Sequence, residues 1–419
     1  MLSLIFFLAW DGGLQPSVQL ASFERVWTII QEKHWDLPST GVDWQAVHDE
    51  FLPRARAIED QTAMRTLIEE MIGRLEQTHF GMLGGHSFAT LEALKARVQA
   101  GSSDLGIEVR AVQGGLFVTR IDPSGEAFQS GLRLGSEILA IQELEAGTIL
   151  AAVEEAFAGS LQRSLYITRA LNEFVHHQLG QELRYRVRLP KEREGKLLVF
   201  ANRRELPHQQ FFPNMPPMPY AFTRQQLSDG VGYLSFNLFL QPLMQDFPQA
   251  LREFHDAKGL IIDLRGNPGG LGMLANGLAG YLIGERGKKL GTMRAKEGTL
   301  NFMVLPRSER YEGPVALLLD EASASTSEIL AQGLKDLGRA RLFGSRSAGA
   351  ALPSFIETLP NGDRFQYAFG DFTSTGGFAI EGRGVEPHQA VPHSRATLTA
   401  GQDAALQAAL RWIHSQNQP

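Results

Sequence analysis

Val315 to Leu319 is a run of pure hydrocarbon. It passes through Asp320-Glu321-Ala322-Ser323-Ala324-Ser325-Thr326-Ser327-Glu328 into a helical pattern. A short apolar run of this kind fits a strand buried on both faces, and a buried strand followed at once by a helix is half of a βαβ unit. The junction therefore commits the surrounding chain to a largely parallel sheet covered by helices. It also puts Ser325 at the carboxyl end of a strand and the positive end of a helix dipole, where unpaired backbone N–H groups can hold an oxyanion. Ser325 then has two readings. Its hydroxyl is placed to become a nucleophile, and with Glu328 three residues on it is also a capping box that starts a helix.

The pattern extends from about residue 222 to 419. Gly232 to Phe236, Gly259 to Asp263 and Val315 to Leu319 are strand candidates, and Leu271 to Ile283 and Thr326 to Leu337 are helical candidates, an alternation expected of an α/β core. Asn361-Gly362, between Ser354–Leu359 and Arg364–Phe369, reads as a hairpin added to that core. Residues 18–100 read as a helical region: Phe23, Trp27 and Ile30 share one face, and Met64, Leu67, Ile68, Met71 and Leu75 recur at helical spacing. His79 stands just past the exit of that second helix. Residues 101–205 change to short strands (Leu105 to Val109, Leu116 to Ile121, Ile138 to Ile141, Leu183 to Leu189) punctuated by Gly and Pro. Pro207, Pro213, Pro216, Pro217 and Pro219 make residues 206–221 a linker or an extended arm.

A chain of 419 residues exceeds one ordinary core, so several domains are expected. Its net charge of -6 and lack of any Lys/Arg block leave no basic surface for nucleic acid. With no cysteine, disulfides, a thiol nucleophile and cysteine metal sites are all excluded. No metal site is expected from the 11 scattered histidines: His176 and His177 are adjacent and point to different faces, and no His-Glu-x-x-His occurs. No cofactor is expected either. Asp263-Leu264-Arg265-Gly266-Asn267-Pro268-Gly269-Gly270 fits neither the dinucleotide fingerprint nor the phosphate loop, and reads as a tight turn or as one wall of an oxyanion site. Within residues 1–17, the apolar run Leu2 to Trp10 is too short to span a bilayer, so no stable membrane insertion is expected. It reads as a weak export signal, without a preceding Lys or Arg, or as an unstructured start. The signal reading points to the periplasm.

Asp263–Gly270, Ser323–Glu328 and Gly338-Arg339-Ala340…Gly344 together resemble the tail-specific, or carboxyl-terminal processing, serine protease family. Residues 105–141 resemble that family's PDZ module, with Leu105-Gly106-Ile107 as its carboxylate-binding loop and Ala127…Gly131-Leu132…Gly135-Ser136…Ile138-Leu139 as its second half. The resemblance spans about residues 20–395. It implies a multi-domain α/β chain: a helical N-terminal region (18–100), a PDZ-like β-rich module (101–205), a Pro-rich linker (206–221) and a catalytic core (222–419). It also implies a serine endopeptidase whose polypeptide substrates are held by their C-termini at Leu105, Gly106 and Ile107.

The family's two branches differ in their general base. Where the Ser-Lys branch carries its lysine, this chain has Ala350, and a methyl group takes no proton. The other branch, similar to the tricorn core protease and to retinoid-binding repeat proteins, takes a histidine after an N-terminal helix and a glutamate before a Gly-Val-x-Pro run. Here those segments read Leu75-Glu76-Gln77-Thr78-His79 and Glu381-Gly382-Arg383-Gly384-Val385-Glu386-Pro387. The resemblance thus implies Ser325 as nucleophile, His79 as general base, and Thr78 with Glu381 as the pair that orients it. Thr326 with Gly269 or Gly270 would supply the oxyanion N–H groups. Asp336 reads as a structural carboxylate. Two alternatives stand beside this one: Lys335 as the base, and an inactive protease-fold protein that binds peptides or hydrophobic ligands.

Overall fold

The computed structural model describes residues 17–83, 89–201, 204–210, 217–227 and 229–417, so the expectation for residues 1–17 falls outside it except at Ser17. Contacts divide the chain into two units. The first holds residues up to Glu76, Phe80–His86 and Phe355–Tyr367, and the second holds Gln77–His79, Ser87–Ser354 and Ala368 onward.

In the first unit, helices α1 (Val18–Lys33), α2 (Trp44–Arg56) and α3 (Gln61–Ile72) each begin at a side chain that accepts a first-turn N–H: Ser17, Asp43 and Asp60. Their shared core is Phe23, Val26, Ile30, Phe51, Met64, Ile68 and Met71, all fully buried. The hairpin Ser354–Thr358 and Arg364–Ala368 was expected beside the core sheet. Instead its second strand pairs antiparallel with Gly81–Leu83. Arg65 grips Asp363 through Nε and Nη2, and Arg25 meets Glu357. These are non-local ion pairs that no local pattern announces.

The second unit begins with an antiparallel sheet in the order β1 (Ile107–Val112), β2 (Gly115–Ile121), β3 (Glu137–Ile141), β4 (Glu182–Arg188) and β5 (Lys196–Ala201). Two helices separate β3 from β4: α4 (Ala146–Ala156) and α5 (Arg163–Glu173). Ile107, Val109, Val118, Ile138, Leu171, Phe174 and Tyr185 close its core.

The rest of this unit is the α/β core. A sheet in the order β6 (Phe222–Gln226), β7 (Gly232–Phe236), β8 (Leu260–Asp263), β11 (Val315–Leu319), β12 (Arg341–Gly344), β14 (Gln389–Ala390) is parallel except at the β6–β7 edge. Helix α6 (Leu243–Glu253) joins β7 to β8. Helix α7 (Met273–Gly280) follows β8, and a hairpin of β9 (Lys289–Ala295) and β10 (Gly298–Met303), which pairs with β13 (Gly370–Ser374), precedes β11. Helix α8 (Thr326–Asp336) joins β11 to β12, and α9 (Ala404–Gln416) packs on the far face. Every residue of β11 is buried, because helices cover both sides of the sheet. Burying one such Leu contributes roughly 1.5–3 kcal/mol. The expected linker is an extended arm where described: His208–Gln209 pairs antiparallel with Met218–Pro219. Among the described residues, no helix is long and apolar enough to cross a membrane.

Candidate active site

The parallel neighbours β8 and β11 end side by side, and the turns that leave them are laced together. Asp320, closing β11, accepts from the N–H of Gly266 (2.8 Å) and of Ala322 (3.1 Å). Ser323 donates its hydroxyl to Leu264 O (2.8 Å), while Ala324 N–H and the Ser327 hydroxyl both reach Asn267 O (3.0 Å). The Asn267 amide is buried and donates in turn to Phe236 O (2.7 Å). Ser325 stands on this scaffold with φ 55° and ψ -118°. A side chain held in a sparsely populated backbone region costs on the order of 1–3 kcal/mol, and a sharp strand-to-helix elbow lifts a nucleophile clear of its neighbours in this way. The approach requires glycine opposite: a Cβ on Gly269 would come within 2.7 Å of Ser325 Cβ.

Glu328 holds the strained elbow. Its carboxylate is fully buried and takes four donors: Ser325 N–H (3.0 Å), Ala350 N–H (2.9 Å), Gly349 N–H (2.8 Å) and the Ser347 hydroxyl (2.5 Å). Ser325 N–H is shared with Ala350 O (2.8 Å). The expected capping box is present, and its glutamate also ties the 347–350 loop to Ser325. Burial pushes the Glu328 carboxyl up to about 7, against the pull of those four bonds. Sequence reading took Glu328 for a helix-start residue; nothing in the spacing of Ser347, Gly349 and Ala350 announces their convergence on it.

The same loop reaches the other expected residues. Ala351 N–H donates to Glu381 Oε2 (3.0 Å), and Thr78 N–H to Glu381 Oε1 (3.1 Å). The Thr78 hydroxyl meets His79 Nδ1 at 2.8 Å and lies close enough to the Glu381 carboxyl to draw it down. Ser325, Ala350, Ala351, Glu381, Thr78 and His79 thus form one bonded path. Burial raises the Glu381 carboxyl, while Thr78 and the N–H groups of Ala351 and Leu352 draw it back. Loss of solvent lowers the His79 imidazole to about 4, so the ring is neutral at pH 7. No hydrogen bond joins His79 to Ser325 among the described residues. Catalytic hydrogen bonds in a substrate-free site are often long and tighten with substrate.

Two expectations change, and one alternative loses its support. Gly269 N–H donates to the Asn267 side chain (2.9 Å), whereas the N–H groups of Gly270 and Thr326 have no hydrogen-bond partner among the described residues. Lys335 lies well along α8 and donates to Glu386 O (2.7 Å), so it is no base for Ser325. Leu105 and Ile107 are buried in the β-rich module, and Gly106 N–H, expected to hold a substrate carboxylate, already donates to Asp104 Oδ1 (2.8 Å). Asp336 accepts from Gln332, the Ser374 hydroxyl and Gly376 N–H, a structural carboxylate's set of partners.

A charged pair lies beneath the elbow. Arg110 of β1 donates to Asp320 Oδ2 through Nε (3.0 Å) and Nη2 (2.8 Å), both side chains being almost wholly buried. Burial alone would raise the Asp320 carboxyl, but Arg110 and the Gly266 N–H hold it below its ordinary value. The composition of β1 gave no sign of this role.

Comparison with known proteins bears on both parts of the chain. Residues 230–391 match the model of peptidase family S41, and residues 20–73 match that of the Tricorn protease C1 domain. The chain is 24% identical to the carboxyl-terminal-processing protease of Synechocystis sp. over 394 residues, covering 92% of this chain and 84% of that protein. It is 29% identical to the carboxy-terminal processing protease CtpB of Bacillus subtilis over 180 residues, covering 42% of this chain and 37% of that one. The solved photosystem II D1 C-terminal processing protease has a similar fold: TM-score 0.54 at 20% identity, over 92% of this chain and 98% of that one.

Proposed function

We propose that the chain, whose residues 230–391 match peptidase family S41, is a serine-type peptidase that cleaves polypeptides internally with Ser325 as nucleophile and His79 as general base. A serine hydroxyl attacks a peptide carbonyl only as a base removes its proton. His79 does this through Nε2, because Nδ1 is engaged by the Thr78 hydroxyl. With Nδ1–H donating to Thr78 and Thr78 donating to Glu381, the ring is held in the tautomer that leaves Nε2 unprotonated. As the imidazolium forms, its charge is stabilised by Glu381 through that hydroxyl. Gly270 and Thr326 N–H groups receive the oxyanion of the tetrahedral intermediate. His79 then returns the proton to the leaving amine, and water, activated by the same ring, releases the acyl group.

The observation that carries this reading is the hydrogen-bonded path from His79 through Thr78, Glu381 and Ala351–Ala350 to the strained Ser325. The test compares degradation of an unfolded polypeptide by the wild type, Ser325→Ala and His79→Ala at equal concentration and neutral pH. Loss of roughly 10²-fold or more in each variant is expected. Undiminished cleavage by Ser325→Ala sinks the assignment. Export to the periplasm belongs to the same reading and rests on the apolar run Leu2–Trp10. Fusion of the first 30 residues to a phosphatase active only outside the cytoplasm tests it, and a silent fusion removes it.

A further inference from the structure

We propose that the β-rich module is closed to peptide strands by the chain's own helix α5, so that this peptidase does not select substrates by a free C-terminus. The inference rests on the reading of Ser325 as nucleophile and concerns which polypeptides reach it. Capture of a C-terminus by strand addition requires two things. One is an edge strand with unused N–H and C=O groups; the other is a neighbouring loop whose N–H groups can take the carboxylate. β1 is the edge of its sheet and directly follows the Leu105-Gly106 loop.

Both requirements meet groups that are already engaged. Val109, near the middle of β1, donates its N–H to Asn172 Oδ1 (3.0 Å) and accepts from Asn172 Nδ2 at its carbonyl (3.0 Å). That pair of bonds is what one residue of an added strand would make, here supplied by a side-chain amide from α5. The remaining donor of Asn172 goes to Thr168 O (2.7 Å), so the amide cannot turn without losing partners. In the loop, Gly106 N–H is held by the Asp104 carboxylate, an anion that repels a second one. The nearby cation, Arg204, is paired with Asp122 (2.5 Å) and Asp104 (3.7 Å).

Helix α5 cannot leave β1 without consequence at the nucleophile. Leu165, in its first turn, packs against Ala322, Ala324 and Ala350. Ala324 immediately precedes Ser325, and Ala350 supplies the carbonyl that receives Ser325 N–H. At its other end, Leu171 is fully buried in the core of the module beside Val109. One helix therefore occupies the peptide edge at Val109 and walls the elbow. An arrangement that opened the edge would also strip support from a backbone held in a strained conformation.

Two measurements on the full chain decide the matter. The first compares kcat/KM for an unfolded polypeptide with a free C-terminus and the same polypeptide joined head to tail; agreement within about twofold is expected, because internal cleavage does not use the terminus. The second measures binding of a fluorescent peptide with an apolar C-terminal residue, as acid and as amide, to Ser325→Ala. Equal affinities, or no detectable binding of either, support closure. Roughly tenfold or greater preference for the free carboxylate in either measurement overturns it. If neither polypeptide is cut, the nucleophile assignment fails while the binding measurement still decides this inference.

Discussion

Replacing Glu328 by Gln changes one oxygen to an amine at a site where every partner is a donor. At the Oε2 position the partners are the N–H groups of Ser325 and Ala350, and at Oε1 they are Gly349 N–H and the Ser347 hydroxyl. The hydroxyl can reverse and accept, but a backbone N–H cannot. Gln therefore does best with its oxygen at Oε2, which leaves its NH₂ facing Gly349 N–H. One buried donor then goes without a partner, a cost of about 1–3 kcal/mol. Protonation of the native carboxyl avoids that conflict, since a hydroxyl at Oε1 donates to Ser347 while Oε2 keeps both N–H bonds.

The pH dependence supplies the sharper test. The folded carboxyl titrates at about 7 against an ordinary 4.5. A raised acid is protonated in the folded chain at pH values where the unfolded chain is ionised, so its contribution is complete below about 4.5 and is lost as pH rises to about 7. The full loss is about 3 kcal/mol, and most of it falls between pH 5 and pH 8. Gln does not titrate. The stability deficit of Glu328→Gln should accordingly shrink by about 2–3 kcal/mol from pH 5 to pH 8, read from urea unfolding of both proteins at each pH. A deficit unchanged across that range refutes the assignment of a buried, proton-retaining carboxyl. At pH 8 the variant should also turn over more slowly even where it is nearly as stable, because the elbow has lost a bond that fixes it.

Three further outcomes are expected. Thr78→Val, which removes the hydroxyl and keeps the shape, should lower kcat/KM by roughly 10- to 100-fold, whereas Thr78→Ser stays within a few-fold; equal rates for all three remove Thr78 from the relay. Because desolvation holds His79 at about 4, the acid limb of kcat/KM should fall well below the ordinary histidine value, and a limb at or above 6.5 contradicts that environment. Arg110→Met leaves Asp320 buried without its cation, so unfolding free energy should drop by about 3–5 kcal/mol, and wild-type stability in that variant denies the pair its role.

The parts of this fold that sequence makes legible are those whose signal is local. Gly232–Phe236 and Val315–Leu319 are strands because short, bounded apolar runs suit a sheet covered on both faces, and α8 begins at Thr326 where Ser325 and Glu328 mark a helix start. The hairpin at Asn361-Gly362 was equally local, but its partner Gly81–Leu83 was not, since pairing between distant segments leaves no trace in either one. Helices α4 and α5, between β3 and β4, had no assignment from sequence. Helix α5 buries only a sparse stripe of Leu165, Thr168, Ala170 and Leu171, and its decisive residue is a polar Asn172 bonded to backbone. Ser325 stands out at its strand-to-helix junction, but the roles of His79, Thr78 and Glu381 came from family resemblance; composition and spacing alone could not bring such distant residues together.

What the sequence conceals is the support of Ser325 more than Ser325 itself. A serine at φ 55° returns to a relaxed backbone unless its neighbours forbid it, and here the prohibition is distributed. Gly269 approaches from one side because a Cβ there would collide with Ser325 Cβ, and its own φ of 100° belongs to the left-handed region that favours glycine. Ala350, at the position of the other branch's lysine, contributes by its backbone: its carbonyl takes Ser325 N–H and its own N–H goes to Glu328. A side chain larger than methyl at Ala350, which is fully buried against Leu165, Ala322 and Ala324, would push α5 and the elbow apart. The methyl group of Ala350 leaves room for helix α5 against the turn that carries Ser325, and on the proposed reading proton transfer falls to His79.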